Sequence, residues 1–341
     1  MSLSVGVVGF GLAGRLFHCP LIIAAGMQVR GVVTRQAEVM RQSLGDVRVH
    51  AEIDSLLADP AIDLVVIATP NHLHAPQAMA ALKAGKHVVI DKPFALNLRE
   101  VDELLRMAQE RRRCLAVFHN RRWDSDFLTL KKVLDSGRLG DIYRVQMRWD
   151  RFRPNVVERW REHEEAGGGL LLDLGPHLID QALCLFGTPE WVQAELLKQR
   201  TGATVEDGFE IWMGKGALRI HIGSSAIVAD NTGRYQIHGL LGSLSKGGLD
   251  VQEPQLREGL NPLSAAFGFE PDEQSALLVD ANGHRERLPP QRGNWVEFYR
   301  GMQRAIEDGV PVPVSGTEAR EVMRVMEAVR TSHVEQRRIW L

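Results

Sequence analysis

The sequence predicts an α/β chain: an N-terminal doubly wound parallel sheet, then a C-terminal α/β domain with a mostly antiparallel sheet. Three observations carry this prediction. A glycine-spaced turn closes the first apolar stretch, Val5–Gly14, which reads V-G-V-V-G-F-G-L-A-G. Continuous apolar runs at Leu64–Ala68, His87–Ile90 and Cys114–Phe118 then alternate with segments of helical period, as strands buried on both faces do. Past residue 120 apolar and polar residues alternate instead, the mark of a sheet with one covered face. The boundary is therefore placed at 120, giving domains at residues 1–120 and 121–341.

Composition narrows the class further. The 341 residues suffice for about two domains. Apolar residues at 44% and charged residues at 25% match an average globular protein, against long disorder or a fibrous repeat. A formal charge of −2 offers no basic footprint for nucleic acid. Cys19, Cys114 and Cys184 are far apart and lack C-x-x-C spacing, against a disulfide framework or structural zinc. No basic-then-apolar leader opens the chain and no apolar run reaches the ~18 residues of a membrane span. A reducing, cytoplasmic setting without membrane or nucleic-acid partners is expected.

Each element then has a local reason. Gly9 allows a tight turn, Gly11 lets backbone approach a pyrophosphate, and Gly14 lets the following helix pack close to its strand. Amides at that helix start face the phosphates. A second strand, Val29–Val33, ends at Thr34 and Arg35, about where folds that select NAD place an acid on the ribose 2′-hydroxyl. A hydroxyl and a guanidinium can instead hold a 2′-phosphate, which favours NADP with NAD still open; the alternative for Arg35 is a solvated loop residue. Leu64–Ala68 runs into Thr69-Pro70-Asn71-His72-Leu73-His74, at the strand end where open parallel sheets bind ligands. His72 and His74 lack the further ligands of a metal site, so no metal is expected. Ala75–Ala84 reads as a helix stopped by Gly85. His87–Ile90 stops at Asp91-Lys92-Pro93, where Pro93 stiffens the turn and favours a positioned lysine over a loose surface charge. Asn97 with Glu100 signals a helix start, and Arg111–Arg113 suit its last turn. In the second domain a helix is expected at Phe127–Leu134 and strands at Ile142–Phe152, Trp191–Leu197, Ala217–Ala226 and Tyr235–Leu240. A last helix, Thr317–Ser332, buries Val322, Val325, Met326 and Val329.

The chemistry concentrates in Gly167–Asp180, G-G-G-L-L-L-D-L-G-P-H-L-I-D. Asp173 and His177 are spaced i, i+4, so on helical backbone they share a face. Pro176 either begins that helix or kinks it. An aspartate beside a histidine can fix its tautomer for proton transfer near neutral pH. The same spacing also fits a helix cap beside a core histidine.

Together, Gly9–Gly14, the Thr69-Pro70-Asn71…His74 turn, Asp91-Lys92-Pro93 and the Gly167–Asp180 run resemble the Gfo/Idh/MocA oxidoreductases over nearly the whole chain. His119–Phe127 and Asp150–Pro154 resemble a bacterial branch near the NADP-dependent scyllo-inositol dehydrogenases. The resemblance implies an N-terminal Rossmann domain and a C-terminal domain with a large open sheet whose face commonly forms a dimer, here a homodimer or homotetramer. It implies Lys92, Asp173 and His177 as the catalytic set, with Asp91 standing where glutamate is usual. Gly9, Phe10, Gly11, Leu12, Gly14, Thr34, Arg35, Thr69, Pro70, Asn71, His74, Asp91, Lys92, Pro93, Asn120 and Arg161 are the expected cofactor residues. Arg122, Trp123, Arg153, Trp160, Asp173 and His177 are the expected substrate residues, with Arg121 beside them. The implied reaction is reversible hydride transfer between a secondary hydroxyl carbon of a sugar or cyclitol and NADP or NAD. Two relatives' roles stand as alternatives: a cofactor-binding sensor without turnover, and a glycosidase that retains NAD.

Overall fold

The computed structural model describes residues 2–157, 162, 168–230 and 233–341. The chain divides into two compact units: Met1–Asn120 with Gln252–Phe267 and Asn294–Arg320, and Arg121–Val251 with Gly268–Gly293 and Glu321–Leu341. This differs from a single cut at residue 120. Two later segments join the first unit: from Asn294–Arg320, Phe298 meets Phe118 edge-on at 4.9 Å and Trp295 meets Phe17 at 5.8 Å, and from the other, Gln252 Oε1 accepts the Trp295 amide at 2.7 Å.

In the first unit β1 (Ser4–Val8) leads through the glycine turn into a helical turn, Gly14–His18, continued as α1 (Cys19–Ala24). There follow β2 (Gln28–Val33), α2 (Ala37–Leu44), β3 (Arg48–His50), α3 (Ile53–Leu57), β4 (Leu64–Ile67), α4 (His74–Lys83), β5 (His87–Ile90), α5 (Leu98–Arg111) and β6 (Leu115–Val117). The strands are parallel and ordered β3-β2-β1-β4-β5-β6, the doubly wound arrangement whose order reverses beside β1. Every side chain of β4 is buried, as expected for a strand covered on both faces. Gly85 stops α4 at φ +76°. Asn97 Oδ1 accepts the Glu100 amide at 3.0 Å at the start of α5.

The second unit begins with α6 (Ser125–Asp135), β7 (Ile142–Arg148), α7 (Leu170–Phe186), β8 (Trp191–Leu197), β9 (Gly208–Lys215), β10 (Leu218–Ser225), β11 (Tyr235–Gly239) and β12 (Gly242–Lys246). After α8 (Gln252–Arg257), of the first unit, come β13 (Ala276–Asp280) and β14 (Arg285–Leu288). The chain closes with α9 (Val296–Asp308), α10 (Gly316–Glu335) and β15 (Ile339–Trp340). The sheet runs β14-β13-β12-β11-β7-β10-β9-β8-β15, antiparallel except where β7 lies parallel to β10. Its alternation is as expected: Val145, Met147, Ile211, Met213, Ile220 and Ile222 are buried, while Tyr143 and Trp212 are exposed.

Two expectations are corrected. The strand foreseen over Ile142–Phe152 ends at Arg148, because the Asp150 carboxylate takes the Ser225 amide and the Arg148 guanidinium in place of a regular ladder. Pro176 does not begin α7: the helix starts at Leu170 and runs through the proline, which lacks the N–H to bond the Leu172 carbonyl.

Candidate functional site

In the first unit the three glycines act differently. Gly9 sits at φ +99°, and a Cβ there would lie 2.4 Å from the Ala68 carbonyl oxygen. At Gly14 a Cβ would lie 2.1 Å from the Gly9 oxygen. These two hold the loop against β4 and close the helical turn upon it. At Gly11 a Cβ would meet nothing within 4 Å. The cradle is thus shut on its protein side and open where backbone amides and a helix start are available to an anion, which fits a dinucleotide pyrophosphate. Phe10 is buried and Leu12 exposed. At the end of β2 the Thr34 hydroxyl accepts the Gln36 amide at 2.9 Å and Arg35 is exposed. No carboxylate occupies Thr34–Gln36.

The neighbouring strand ends carry two turns. Thr69 donates its hydroxyl to Gln77 Oε1 at 2.7 Å, and buried Asn71 opens a short 3-10 turn, Asn71–Leu73. His72 is exposed and His74 buried, so the pair does not face one site. His74 lies between two backbone carbonyls, with Nδ1 2.8 Å from Pro93 O and Nε2 2.9 Å from Thr69 O. This differs from the expected direct cofactor contact: both ring nitrogens face backbone, and the imidazole braces the two turns. Burial holds its pKa below the ordinary histidine value, although Asp91 and both carbonyls pull upward. Asp91 Oδ1 accepts the Lys92 amide at 2.8 Å. Burial pushes the Asp91 carboxyl up, but His18, Lys92 and His74 outweigh it and hold the group below the usual carboxylate range. Asn120, also buried, opens a 3-10 turn, Asn120–Trp123.

In the second unit α7 carries Asp173 and His177 on one side. Arg151 Nη1 donates to Asp173 Oδ2 at 3.0 Å. His177 is buried against Trp149, ring centroids 5.7 Å apart. Around that indole also lie the guanidiniums of Arg121 at 4.7 Å, Arg234 at 4.9 Å and Arg151 at 5.8 Å. Arg122 holds Asp180 through Nη2 at 2.7 Å and Nε at 3.0 Å, so this expected substrate residue is bound to the last acid of the Gly167–Asp180 run. Trp123 is half-buried and Arg153 exposed. A small pocket of about 30 Å³ is lined in part by Arg151, Arg153, Asp173, Glu206 and Asp207. Trp160 and Arg161 lie outside the described residues, as does Gly167. Sequence reasoning missed Trp149 and the partners Arg151 and Asp180. Arg151 stands inside Asp150–Pro154 and Asp180 ends the Gly167–Asp180 run, so the signal was present but not the pairing.

A glycine-cradled nucleotide unit joined to a mixed-sheet unit carrying Asp173 and His177 defines a dinucleotide-dependent oxidoreductase. Residues 3–119 match the oxidoreductase family with an NAD-binding Rossmann fold, and residues 127–245 match the GFO/IDH/MocA C-terminal domain. The chain belongs to the Gfo/Idh/MocA family. It is 39% identical to scyllo-inositol 2-dehydrogenase (NADP(+)) IolW of Bacillus subtilis, over 100% of this chain and 96% of that one. It is 28% identical to 1,5-anhydro-D-fructose reductase of Ensifer adhaerens, over 73% of this chain and 77% of that one. Among solved structures, the oxidoreductase yvaA of Bacillus subtilis superposes with a TM-score of 0.97 at 39% identity, covering 100% of this chain and 98% of that one. Among the described residues no helix is long and apolar enough to cross a membrane.

Proposed function

We propose that this chain is an NADP-preferring dehydrogenase that reversibly oxidises a secondary hydroxyl of a sugar or cyclitol to a ketone. The observation that carries the cofactor choice is the end of β2, where Thr34 and exposed Arg35 stand in place of an acid. The NADP-dependent inositol dehydrogenase and the anhydrofructose reductase among its relatives support the substrate class. When bound, the nicotinamide supplies or takes up the hydride. His177 accepts the alcohol proton, and Trp149 fixes the plane of its ring. Asp173, oriented by Arg151, accepts a hydrogen bond from a substrate hydroxyl. Lys92 donates to the reacting oxygen from its stiff turn, or exchanges that role with His177. Arg122, Trp123, Arg153 and Trp160 are proposed to shape the substrate side, and Arg161 to face the cofactor. The exposed sheet face around Tyr143 and Trp212 is proposed to join a homodimer or homotetramer.

The test is a panel of polyols and sugars with both cofactors, read by reduced-nicotinamide absorbance. Turnover of a cyclitol or sugar with NADP at least tenfold better than with NAD is expected. Lys92→Ala and His177→Ala should each lose about 10²–10⁴-fold in kcat while remaining folded. Equal turnover with NAD overturns the role of Arg35, and full activity in either variant overturns the catalytic set.

A further inference from the structure

We propose that His18 and Tyr299 are positioning residues that hold Asp91, and with it the Asp91–Lys92 turn, through a buried relay running Tyr299–His18–Asp91. The inference rests on the reading of Asp91 as a ligand of the bound nicotinamide nucleotide and says how this chain sets that ligand in place.

His18 closes the helical turn that follows the glycine loop, and none of its surface is exposed. Its ring lies 4.4 Å from the Phe118 ring, and Phe298 and Tyr299 complete an aromatic wall. An imidazole in such a place has no packing advantage over a leucine, and its nitrogens must be satisfied. Nδ1 lies 2.5 Å from the Tyr299 hydroxyl. Nε2 makes no hydrogen bond and points at Asp91 Oδ2, 3.7 Å away.

The charge on Asp91 decides where the proton sits. Asp91 is held ionised, and its Oδ1 already takes the Lys92 amide. An unprotonated Nε2 would set a lone pair against the carboxylate, so the imidazole proton belongs on Nε2 and Nδ1 accepts from the tyrosine hydroxyl. The gap from Nε2 to Oδ2 exceeds hydrogen-bond length by under ~1 Å, close enough for the carboxylate charge to act on the ring. The aspartate carboxylate also sits one methylene closer to its own backbone than the glutamate usual at this place. His18 behind it provides the hold, and the partly exposed edge of the carboxylate is left to meet the cofactor. Tyr299 comes from α9, so a late segment of the chain steers a turn formed by β5.

Two measurements on the full-length protein test this. Long-range proton–nitrogen spectra of [¹⁵N]histidine-labelled protein, with the His18 signal assigned by its loss in His18→Gln, should show the Nε2–H form. In Asp91→Asn, which removes that charge, the form should lose its preference. NADPH titrations followed by fluorescence should show binding about tenfold weaker in His18→Leu and about fivefold weaker in Tyr299→Phe. His18→Gln, whose amide can still donate to Asp91, should stay within about twofold of wild type, and the surface variant His284→Gln should be unchanged. An Nδ1–H form in the wild type overturns the relay. So does unaltered NADPH binding in both His18→Leu and Tyr299→Phe when Asp91→Asn is impaired. If Asp91→Asn itself binds NADPH normally, the reading of Asp91 fails instead.

Discussion

Helices α5 and α7 start in opposite ways. At α5 the cap is local: Asn97 takes the amide of Glu100, and Glu100 in return takes the Leu96 amide at 3.1 Å. At α7 no side chain of the cap residue helps. Gly169 stands at φ +102°, and Glu206, far along the chain, accepts the Leu171 amide at 3.3 Å. The contrast extends to the units themselves. The first is an apolar parallel sheet braced by backbone conformation, whereas the second is threaded by buried ion pairs: Arg122–Asp180, Arg234–Asp126, Arg200–Asp207 and Lys246–Glu270. Nucleotide binding asks the first unit for a shaped backbone. The sugar or cyclitol proposed as substrate would ask the second for fixed polar groups, and buried pairs hold polar groups at a cost in desolvation.

The largest expected effect separates backbone shape from ligand space within one loop. Gly9→Ala should lower the stability of the first unit by about 3 kcal/mol or more, since its Cβ meets backbone and its φ is strained. Gly11→Ala should leave stability within about 0.5 kcal/mol yet weaken NADPH binding at least tenfold, because its methyl group enters open space meant for phosphate. Thermal melts beside NADPH titrations check both. A destabilised Gly11→Ala would erase the distinction.

Next comes pH, through Glu270 of the second unit. Burial raises Glu270 to about 7, against the downward pull of Lys246. Unfolded, it returns to the ordinary 4.5. Between these values the folded state binds more protons, so stability from this group falls as pH rises from about 4.5 to 7 and is level above. The total is at most on the order of 3 kcal/mol. Glu270→Gln should flatten that slope in melts taken across the range; an unchanged slope places the titration elsewhere.

The smallest effects fall at the caps. Asn97→Ala should cost about 1 kcal/mol without touching activity. Glu206→Ala should cost a similar amount but also lower kcat, because it loosens the start of the helix that carries Asp173. Equal kinetic effects from both would show that the two helices are not distinguished by how they begin.

Features set within a few residues were legible in the sequence: the glycine turn, the Asn97 cap, the Gly85 stop and the alternating strands. Their causes are steric or short-range. Features made by distant partners were not. His18 and Tyr299 lie 281 residues apart, and Arg122 finds Asp180 across 58. Nothing in the local pattern of Gln252–Phe267 or Asn294–Arg320 tells that they complete the first unit, since an amphipathic helix does not name the core it covers. The pairings that fix the candidate site's side chains were therefore unreadable from local pattern.

One small element bears on how the protein can be handled. Ile339 and Trp340 pair with Val192 and Trp191 and so cover part of the outermost long strand. Clipping these last residues, or burying them under a bulky fusion, would uncover unpaired amides and carbonyls along an apolar strand and invite aggregation between molecules. An affinity tag on the opposite terminus leaves that cover in place.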